Sequence, residues 1–329
     1  MSKKYLIIGG TGSLGQHLCR HLIKDKNVRV RDITIMSRDE QKQVHMQRDS
    51  VFQDCKFIVH DIRDRDGIYD IVKGNDVVIN CAAMKHIGKV ELDVLEGIKT
   101  NLMGTYNVLK AVKRCERPMV YVGISTDKAP EATTMYGATK FLGEGLVRNF
   151  ADSDVFHEYF CVRYGNVLES KGSVIPKFKE LARNNHTIFV TDKRMTRFLM
   201  HLDDAVQLIM LTADHVAPTG AITLPVNLPS CNIWDLAGLI VESENSTSDI
   251  IEGSISRGEK LHEVLLSQTE IHDFKCLNLS ETKNGINFAY IKIPDLSTYR
   301  DGVIHSYTSK DKAMTKDQLK RFLQRNGVI

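Results

Sequence analysis

Short apolar runs rich in β-branched residues alternate with amphipathic stretches through the first half of the chain. KYLIIGG is followed by SLGQHLCRHLIKD, whose apolar positions recur at helical spacing, and then by the apolar runs of VRDITIMSR, CKFIVHD and DVVINCAA. The helix-like EGIKTNLMGTYNVLKAVKRC precedes another such run, MVYVGIST. Continuously apolar strands separated by helices predict a parallel sheet covered on both faces. The second half is less regular. FHEYFCVRYGNV reads as one strand, VIPKFKELARN as a helix, TIFVTD and ITLPVNLP as short strands, and NIWDLAGLIVES as a helix. Thr315 and Gln318 have capping-box spacing ahead of DQLKRFLQ, which predicts a last helix. No repeat, low-complexity linker or Gly/Pro cluster marks a boundary.

Composition narrows the choices by exclusion. A chain of 329 residues fits one main domain with an annex. At 42% hydrophobic and 26% charged it has an ordinary globular composition, and a net charge of +3 makes no case for nucleic acid. Seven cysteines without a CxxC pair, and twelve histidines without HExxH spacing, argue against a disulfide framework and against any metal. No run approaches the ~18 apolar residues of a membrane span. The apolar part of MSKKYLIIGG is too short for a leader and reads as a first strand. A cytosolic, soluble protein without nucleic-acid or membrane partners is expected.

The turn after that strand is GGTGSLG, with Gly9, Gly12 and Gly15 at three-residue spacing and Ser13 and Leu14 between the last two. Glycines there let the backbone turn tightly and approach a pyrophosphate at the helix N-terminus. Such turns are common alone, but this one lies in the first strand-to-helix connection, the context the motif requires. The expected fold is therefore α/β, a Rossmann-type doubly wound parallel sheet with a smaller C-terminal substrate-binding region. Residues 1–165 would bind the dinucleotide and carry the catalytic Tyr/Lys. Residues 166–329 would mainly bind substrate, with segments returning to the first domain. At the end of the second strand the chain reads IMSRDEQK, which puts Ser37 and Arg38 where the 2′-phosphate of NADP would lie. Asp39, one step later, keeps NAD as the alternative. Asp61 and Ile62 after the third strand are placed for the adenine, and Ala82 and Ala83 after the fourth for close passage of the cofactor.

TTMYGATKFLGEGL has helical spacing after Thr134, which puts Tyr136 and Lys140 on one helix face. A phenol with a pKa near ~10 is a poor base at neutral pH. A neighbouring ammonium and an oxidised nicotinamide would both favour the phenolate, so the pair suits alcohol oxidation. Just upstream, Asp127 and Lys128 are adjacent, an arrangement that alcohol oxidation alone does not need. Taken in isolation, that pair would read as an exposed ion pair of little consequence.

With Ser125 ending the strand before it, this stretch resembles the extended short-chain dehydrogenase/reductase family. NCAAMKH, IKTNLMGTYNV, STDKA, MYGATK, RYGNV, GSVIPKF, MTRF and RGEKLHE occur in that order. Together they resemble the configuration-inverting UDP-N-acetylglucosamine 4,6-dehydratases of surface-sugar biosynthesis, from the first strand to about Leu265 and more loosely in HSYTSKDK. The resemblance implies oxidation at sugar C4 with Tyr136 as base, removal of the C5 proton by Lys128, and protonation of the departing C6 hydroxyl by Asp127. The hydride stored on the cofactor then returns to C6. Retaining relatives show Asp-Glu where this chain has Asp-Lys. The chemistry would require Lys128 neutral, its pKa lowered by burial, Lys140 and the cofactor, and Asp127 protonated. The two could share one proton as a coupled pair.

By the same resemblance Thr126 hydrogen-bonds the sugar or orients the ketone, Ser125 lies near the nicotinamide, Asn101 binds the cofactor, and Lys85 touches cofactor or sugar. Asn166, Arg197, Arg257 and Glu259 would hold the diphosphate and uridine of a UDP-N-acetylhexosamine, and the chain would form a homo-oligomer through helices of the first domain. His86 is read as packing. Two segments depart from the relatives. APEATTM replaces a Pro-x-Asn segment, and SRGEKLHE has serine where proline is usual, which leaves the hexose open. The stretch from Gln268 to Asp301 matches poorly and is given no role. The alternatives are a UDP-sugar 4-epimerase or a retaining dehydratase, and, outside enzymes, an NADP-binding sensor.

Overall fold

The computed structural model describes residues 2–168, 170, 172–214, 217–255, 257–271, 274–275 (backbone), 286–291 and 306–329. Most of the stretch without an assigned role, and His305 of HSYTSKDK, lie outside these residues.

In chain order the first half runs β1 (Tyr5–Ile8), α1 (Ser13–Lys24), β2 (Ile33–Ser37), α2 (Glu40–Gln47), β3 (Lys56–Val59), α3 (Arg65–Val72) and β4 (Val77–Asn80). It continues with α4 (Ile87–Leu92), α5 (Val94–Gly97), a π-helical turn (Ile98–Met103), α6 (Gly104–Lys113), β5 (Val120–Ile124), α7 (Met135–Asp152) and β6 (Glu158–Val162). The helix expected over EGIKTNLMGTYNVLKAVKRC is thus one helical path interrupted by the π turn, a feature often found beside functional sites. Every residue of β1, β2 and β4 is buried, as expected for strands covered on both faces, whereas β3 exposes Lys56 and Val59 at the sheet edge.

The second half contains β7 (Asn166–Val167), α8 (Val174–Arg183), β8 (Ile188–Val190), β9 (Thr196–Met200), α9 (Leu202–Ala213), β10 (Ile222–Pro225) and β11 (Ser230–Asn232). It ends with α10 (Ile233–Ser243), β12 (Ile250–Glu252), β13 (Val264–Leu266), β14 (Phe274–Lys275), β15 (Phe288–Ile291), β16 (Tyr307–Thr308) and α11 (Lys316–Arg325). Thr315 and Gln318 form the reciprocal capping box that their spacing predicts.

The main sheet has the order β14-β15-β10-β6-β5-β4-β1-β2-β3, parallel from β3 to β10, with β14 and β15 antiparallel at the far edge. Helices α1 and α9 pack together against one face, and α3, α6 and α7 lie side by side on the other. Strand order reverses between β1 and β4, which opens a crevice at the strands' carboxyl ends. A second apolar core joins Ile175 and Phe178 of α8, Leu236 and Ile240 of α10, and Leu319 and Leu323 of α11.

FHEYFCVRYGNV is not one strand. β6 stops at Val162 and β7 joins a different sheet, parallel to β9, which pairs β11 on its other side. Between them Gly165 lies so close to Phe198 of β9 that a Cβ there would sit 2.4 Å from the Phe198 Cβ. The chain therefore leaves the main sheet at the site and enters the second layer.

Candidate active site

The turn after β1 is shaped by missing side chains. Gly9 has φ +75°, and a Cβ on it would lie 2.8 Å from the Ala82 nitrogen, so the loops after β1 and β4 touch backbone to backbone. A Cβ on Gly15 would lie 2.5 Å from the Gly10 Cα, which seats α1 tightly on its own turn. Gly12 is the N-cap of α1 and is open apart from the Gly9 carbonyl, 3.3 Å from where its Cβ would be. The first-turn amides of Ser13, Leu14 and Gly15 have no intrahelical acceptor, and no acidic side chain occupies that turn. This cradle fits the pyrophosphate of a dinucleotide.

At the end of β2, Ser37 is held by Gln43, whose Nε2 donates to its Oγ at 3.1 Å and its carbonyl at 2.9 Å. Asp39 is committed elsewhere. It caps α2 by accepting from the Lys42 amide at 3.0 Å and from Lys42 Nζ at 2.5 Å. The Arg38 side chain remains 59% exposed, with Nη1 3.8 Å from Asp61 Oδ2. Asp61 itself is gripped by Arg63, through Nε at 3.0 Å and Nη2 at 2.6 Å. Ile62, expected at the adenine, packs in the core beneath Gly104, where a Cβ would meet its Cγ2 at 2.8 Å.

Asn101 lies on the π turn and acts on the loop after β4. Its Oδ1 accepts from the Met84 amide at 2.7 Å, while Nδ2 donates to the Met84 carbonyl at 3.1 Å and to Thr139 Oγ1 at 3.0 Å. It pins that loop to α7 beside Ala82 and Ala83. Lys85 is exposed just beyond, and His86 packs against Gly172.

The loop after β5 and the start of α7 form the chemical corner. Thr134 caps α7 by accepting from the Gly137 amide at 3.0 Å. A Cβ on Gly137 would fall 2.3 Å from the Lys128 carbonyl, so glycine lets the first turn of α7 press on the Asp127-Lys128 loop. Tyr136 is thereby buried beside both. Lys140, one turn on, donates to the Ile124 carbonyl at 2.8 Å, and burial lowers its pKa. The expected lowering of the phenol by Lys140 is not what this arrangement delivers. Burial raises the Tyr136 pKa, and the opposing influences are Lys128 and the Thr126 hydroxyl.

Asp127 is fully buried. Its Oδ1 accepts from Thr126 Oγ1 at 3.0 Å and Lys128 Nζ at 2.9 Å, while Oδ2 has no hydrogen-bond partner. Burial, reinforced by Glu263, raises the Asp127 pKa, in the direction the acid role needs. Lys128 Nζ also lies 3.1 Å from Glu263 Oε1 and 3.4 Å from Asn166 Oδ1. Here the structure corrects the sequence reading. Burial does oppose the charge on Lys128, but the carboxylates of Asp127 and Glu263 outweigh it, and its pKa is raised rather than lowered. Burial likewise pushes Glu263 up, but Lys128 and Arg197 outweigh it and hold the carboxylate below its usual range.

Glu263 also links this corner to the expected diphosphate group. Arg197 Nε lies 3.5 Å from Glu263 Oε1, and its Nη2 lies 3.3 Å from Glu259 Oε1. Asn166 is at the Lys128 end of this chain of contacts, and Arg257 is exposed on the loop carrying Glu259. That loop meets the other departing segment: Thr133 Oγ1 donates to the Gly258 carbonyl at 2.6 Å, and Lys260 Nζ to the Pro130 carbonyl at 2.8 Å. The two stretches that differ from relatives thus form one seam.

Ser125, the residue after β5, is engaged with α7. Its Oγ donates to Glu144 Oε1 at 2.5 Å. Glu144 in turn pairs with fully buried Arg163, which also reaches Glu270 at 2.9 Å. Glu263, Glu144 and Arg163 went unnoticed in the sequence. Their signal was a charged residue inside or beside an apolar run, as in HEVLL, FLGEGL and FCVRY. Among the described residues, no group of His, Cys, Asp or Glu is arranged to hold a metal ion.

A family model described as polysaccharide biosynthesis protein matches residues 5–280. The chain is 37% identical over 280 residues to a UDP-N-acetylglucosamine 4,6-dehydratase (inverting) of Campylobacter jejuni, covering 82% of this chain and 79% of that one. It is 36% identical over 274 residues to a UDP-glucose 4-epimerase of Rickettsia bellii, covering 82% and 80%. The X-ray structure of Pen from Bacillus thuringiensis superposes with a TM-score of 0.88 at 28% identity, covering 100% of this chain and 98% of that one. The chain belongs to the polysaccharide biosynthesis protein family and has the Rossmann fold of the short-chain dehydrogenases/reductases.

Proposed function

We propose that this protein is a UDP-N-acetylglucosamine 4,6-dehydratase that inverts C5. The observation that carries the reading is the buried Asp127-Lys128 pair packed against Tyr136, with Asp127 Oδ2 unpartnered. A 4-epimerase needs the alcohol-oxidising Tyr136 and Lys140 but has no use for a second acid and base. A sensor needs neither pair.

A bound nicotinamide supplies the hydride acceptor at the start and the hydride donor at the end. The chain's own groups handle protons. Tyr136 receives the proton of the C4 hydroxyl, Thr126 steadies the oxygen, and Lys140 supports the cofactor side. Lys128, once neutral, removes the C5 proton that the new ketone acidifies. Asp127 donates through Oδ2 to the C6 hydroxyl, which departs as water. Burial is what keeps an aspartic acid protonated for that task. Arg197, Arg257, Glu259 and Asn166 serve the nucleotide part of the substrate, with Lys85 at the mouth.

Within this reading the cofactor is NADP. Exposed Arg38 stands at the end of β2, and Asp39, the group that would favour NAD, is engaged as a helix cap. Residues 1–165 hold the dinucleotide, and residues 166–329 mainly hold the nucleotide sugar. The working form is a homo-oligomer in the cytosol: Leu92, Leu95, Ile98, Phe141 and Leu142 expose apolar side chains on adjoining helices α4, α5, the π turn and α7, a surface a second copy would cover. No helix among the described residues is long and apolar enough to cross a membrane.

Proton NMR of the protein with UDP-N-acetylglucosamine in heavy water tests the reading. A 4-keto-6-deoxy product with deuterium at C5 and inverted configuration is expected. Deuterated product of unchanged configuration would keep the dehydratase and overturn the inverting role of Lys128. The 4-epimer without deuterium would make the protein an epimerase.

A further inference from the structure

Before Lys128 can take a proton from carbon it must lose one. Its Nζ faces three acceptors: Asp127 Oδ1 at 2.9 Å, Glu263 Oε1 at 3.1 Å and Asn166 Oδ1 at 3.4 Å. An ammonium has three N–H donors and no lone pair, so the resting arrangement satisfies an acid and offers no base. The three receivers are not equivalent. An amide oxygen such as that of Asn166 does not hold a proton at neutral pH. Asp127 must keep its own proton for the departing hydroxyl. Glu263 is the remaining acceptor, and its side chain is almost wholly buried.

We propose that Glu263 is the proton store of Lys128: it takes one proton from Nζ onto Oε1, which frees the amine lone pair for C5, and returns that proton when the elimination is complete. This rests on the dehydratase reading above. Glu263 acts through Lys128 and is a positioning residue in that sense.

The protons balance. At the start Asp127 is neutral, Lys128 cationic and Glu263 anionic. Breaking one N–H bond and forming O–H on Glu263 leaves an amine beside a neutral acid. The amine forms a new N–H bond with the C5 proton, whose electron pair moves into the C5–C6 double bond. The C6–O bond breaks, and that oxygen takes the Asp127 proton and leaves as water. The corner then holds anionic Asp127, cationic Lys128 and neutral Glu263. Lys128 passes a proton to Asp127 Oδ1 and is refilled from Glu263, which restores these three groups. When hydride returns to C6, C5 takes one proton from solvent and Tyr136 releases to solvent the one it received from the C4 hydroxyl, so the turnover balances with no outside reductant or oxidant.

The charged groups facing this chain set its poise. Asp127, Lys128 and Tyr136 line one side, and Arg197, Glu259 and Lys260 the other. Arg197 is the cation that favours the ionised Glu263 from the nucleotide side. A diphosphate competing for its guanidinium would make Glu263 a better proton acceptor, so the base would be released as substrate arrives.

The test compares the wild-type protein with Glu263→Gln and Glu263→Asp. Two readouts are taken with UDP-N-acetylglucosamine: formation of reduced nicotinamide in a single turnover, and deuterium incorporation at C5 in heavy water between about pH 6 and pH 9. Nicotinamide reduction should stay within about twofold in all three proteins, which reports intact folding, cofactor and sugar binding. In E263Q the C5 step should fall roughly 100-fold at neutral pH and climb as pH rises, because Lys128 must now lose its proton to solvent. The wild type should be flat over that range, and E263D should recover most of the flat profile. A uniform loss at every pH, without rescue by Asp, would overturn the proposal and leave Glu263 a packing residue. An E263Q protein as fast as wild type at neutral pH, or faster, would overturn it too, since Glu263 would then restrain Lys128. Wild-type protein that reduces nicotinamide but never exchanges C5 would overturn the dehydratase reading itself, and this proposal with it.

Discussion

The dinucleotide cradle after β1 and the acid–base corner after β5 sit at the ends of parallel strands in one sheet, yet they are built by opposite means. The cradle is contiguous backbone, made by what Gly9, Gly12 and Gly15 lack. The corner is made of charge drawn from four separate segments, with Asp127-Lys128, Asn166, Arg197 and Glu263 within 3.5 Å of one another in sequence of contact. The glycine spacing that shapes the cradle is legible locally, even though Gly9 also abuts Ala82 after β4. The proton affinity of buried Lys128 is set by its neighbour Asp127 together with Glu263 and Arg197 from distant segments, so a motif identifies the group but not its charge state.

The largest effect should come from separating the two regions chemically. Lys128→Ala removes the base and leaves the cradle intact, so C5 exchange should fall roughly 10²–10⁴-fold. Cofactor binding and the appearance of reduced nicotinamide with substrate should persist. Parallel loss of cofactor affinity, measured by fluorescence titration, would mean the two regions are not independent.

Within the cradle the glycines themselves should divide. Gly15→Ala forces a Cβ to within 2.5 Å of backbone atoms that have no room to move. Its expected cost is about 3 kcal/mol of folding stability, the upper end for overpacking. Gly12→Ala meets only one atom, the Gly9 carbonyl, and should fold with a cap penalty of about 1 kcal/mol or less. Its methyl stands where an anion would approach, so the larger loss, about 2 kcal/mol, should be in cofactor affinity through a displaced charged hydrogen bond. Thermal melts with and without cofactor separate the two outcomes. Equal behaviour of both variants would erase the distinction between a packing glycine and a cradle glycine.

The same division explains what could be read from the sequence. The parallel sheet from β1 to β5, the Thr134 cap and the Thr315 capping box each depend on neighbours within a few residues, and each is legible. FHEYFCVRYGNV misleads because its apolar pattern runs on while its partners change. After Val162 the buried Arg163 turns to Glu144 and Glu270, and Gly165 yields to Phe198. No local periodicity encodes that exit. Tyr136, Lys140, Asp127 and Lys128 are visible as a motif; the structure brings Asp127 and Lys128 to Tyr136, while Lys140 reaches the Ile124 carbonyl. Glu263 is hidden because it matters only once β9 and the RGEKLHE loop have closed around Lys128. The Ser125–Glu144 bond is hidden for a similar reason, since nothing beside Ser125 in the sequence points to a partner 19 residues on.

Arg38 tests whether the cradle's selectivity also rests on one exposed side chain. Arg38→Ala should weaken NADP by about 1.5 kcal/mol, the low end for a charged hydrogen bond because the site is open to water. NAD binding should hardly change. If NAD improves instead, Asp39 has left its cap on α2 and entered the ribose site.

The smallest effect is expected at the seam where the two unusual segments meet, and it asks which of the two regions' rules that seam obeys. Lys260 donates to the Pro130 carbonyl at 2.8 Å, and its ammonium, with a pKa lowered by burial, lies in the field of Glu263 and Asp127. If the seam works by shape, Lys260→Met keeps the aliphatic stem and loses one hydrogen bond, about 1 kcal/mol. The Michaelis constant for the UDP-sugar should then rise roughly fivefold with turnover and its pH profile unchanged. If the seam works by charge, removing a cation beside Glu263 should make that carboxylate a better proton acceptor. Turnover and its pH profile would then move while the Michaelis constant held still. The first result assigns the seam to substrate fit and makes the Pro130–Thr133 segment the place to look for hexose preference. The second would extend the proton-handling corner to Lys260 and place the whole RGEKLHE loop under the electrostatics of Lys128.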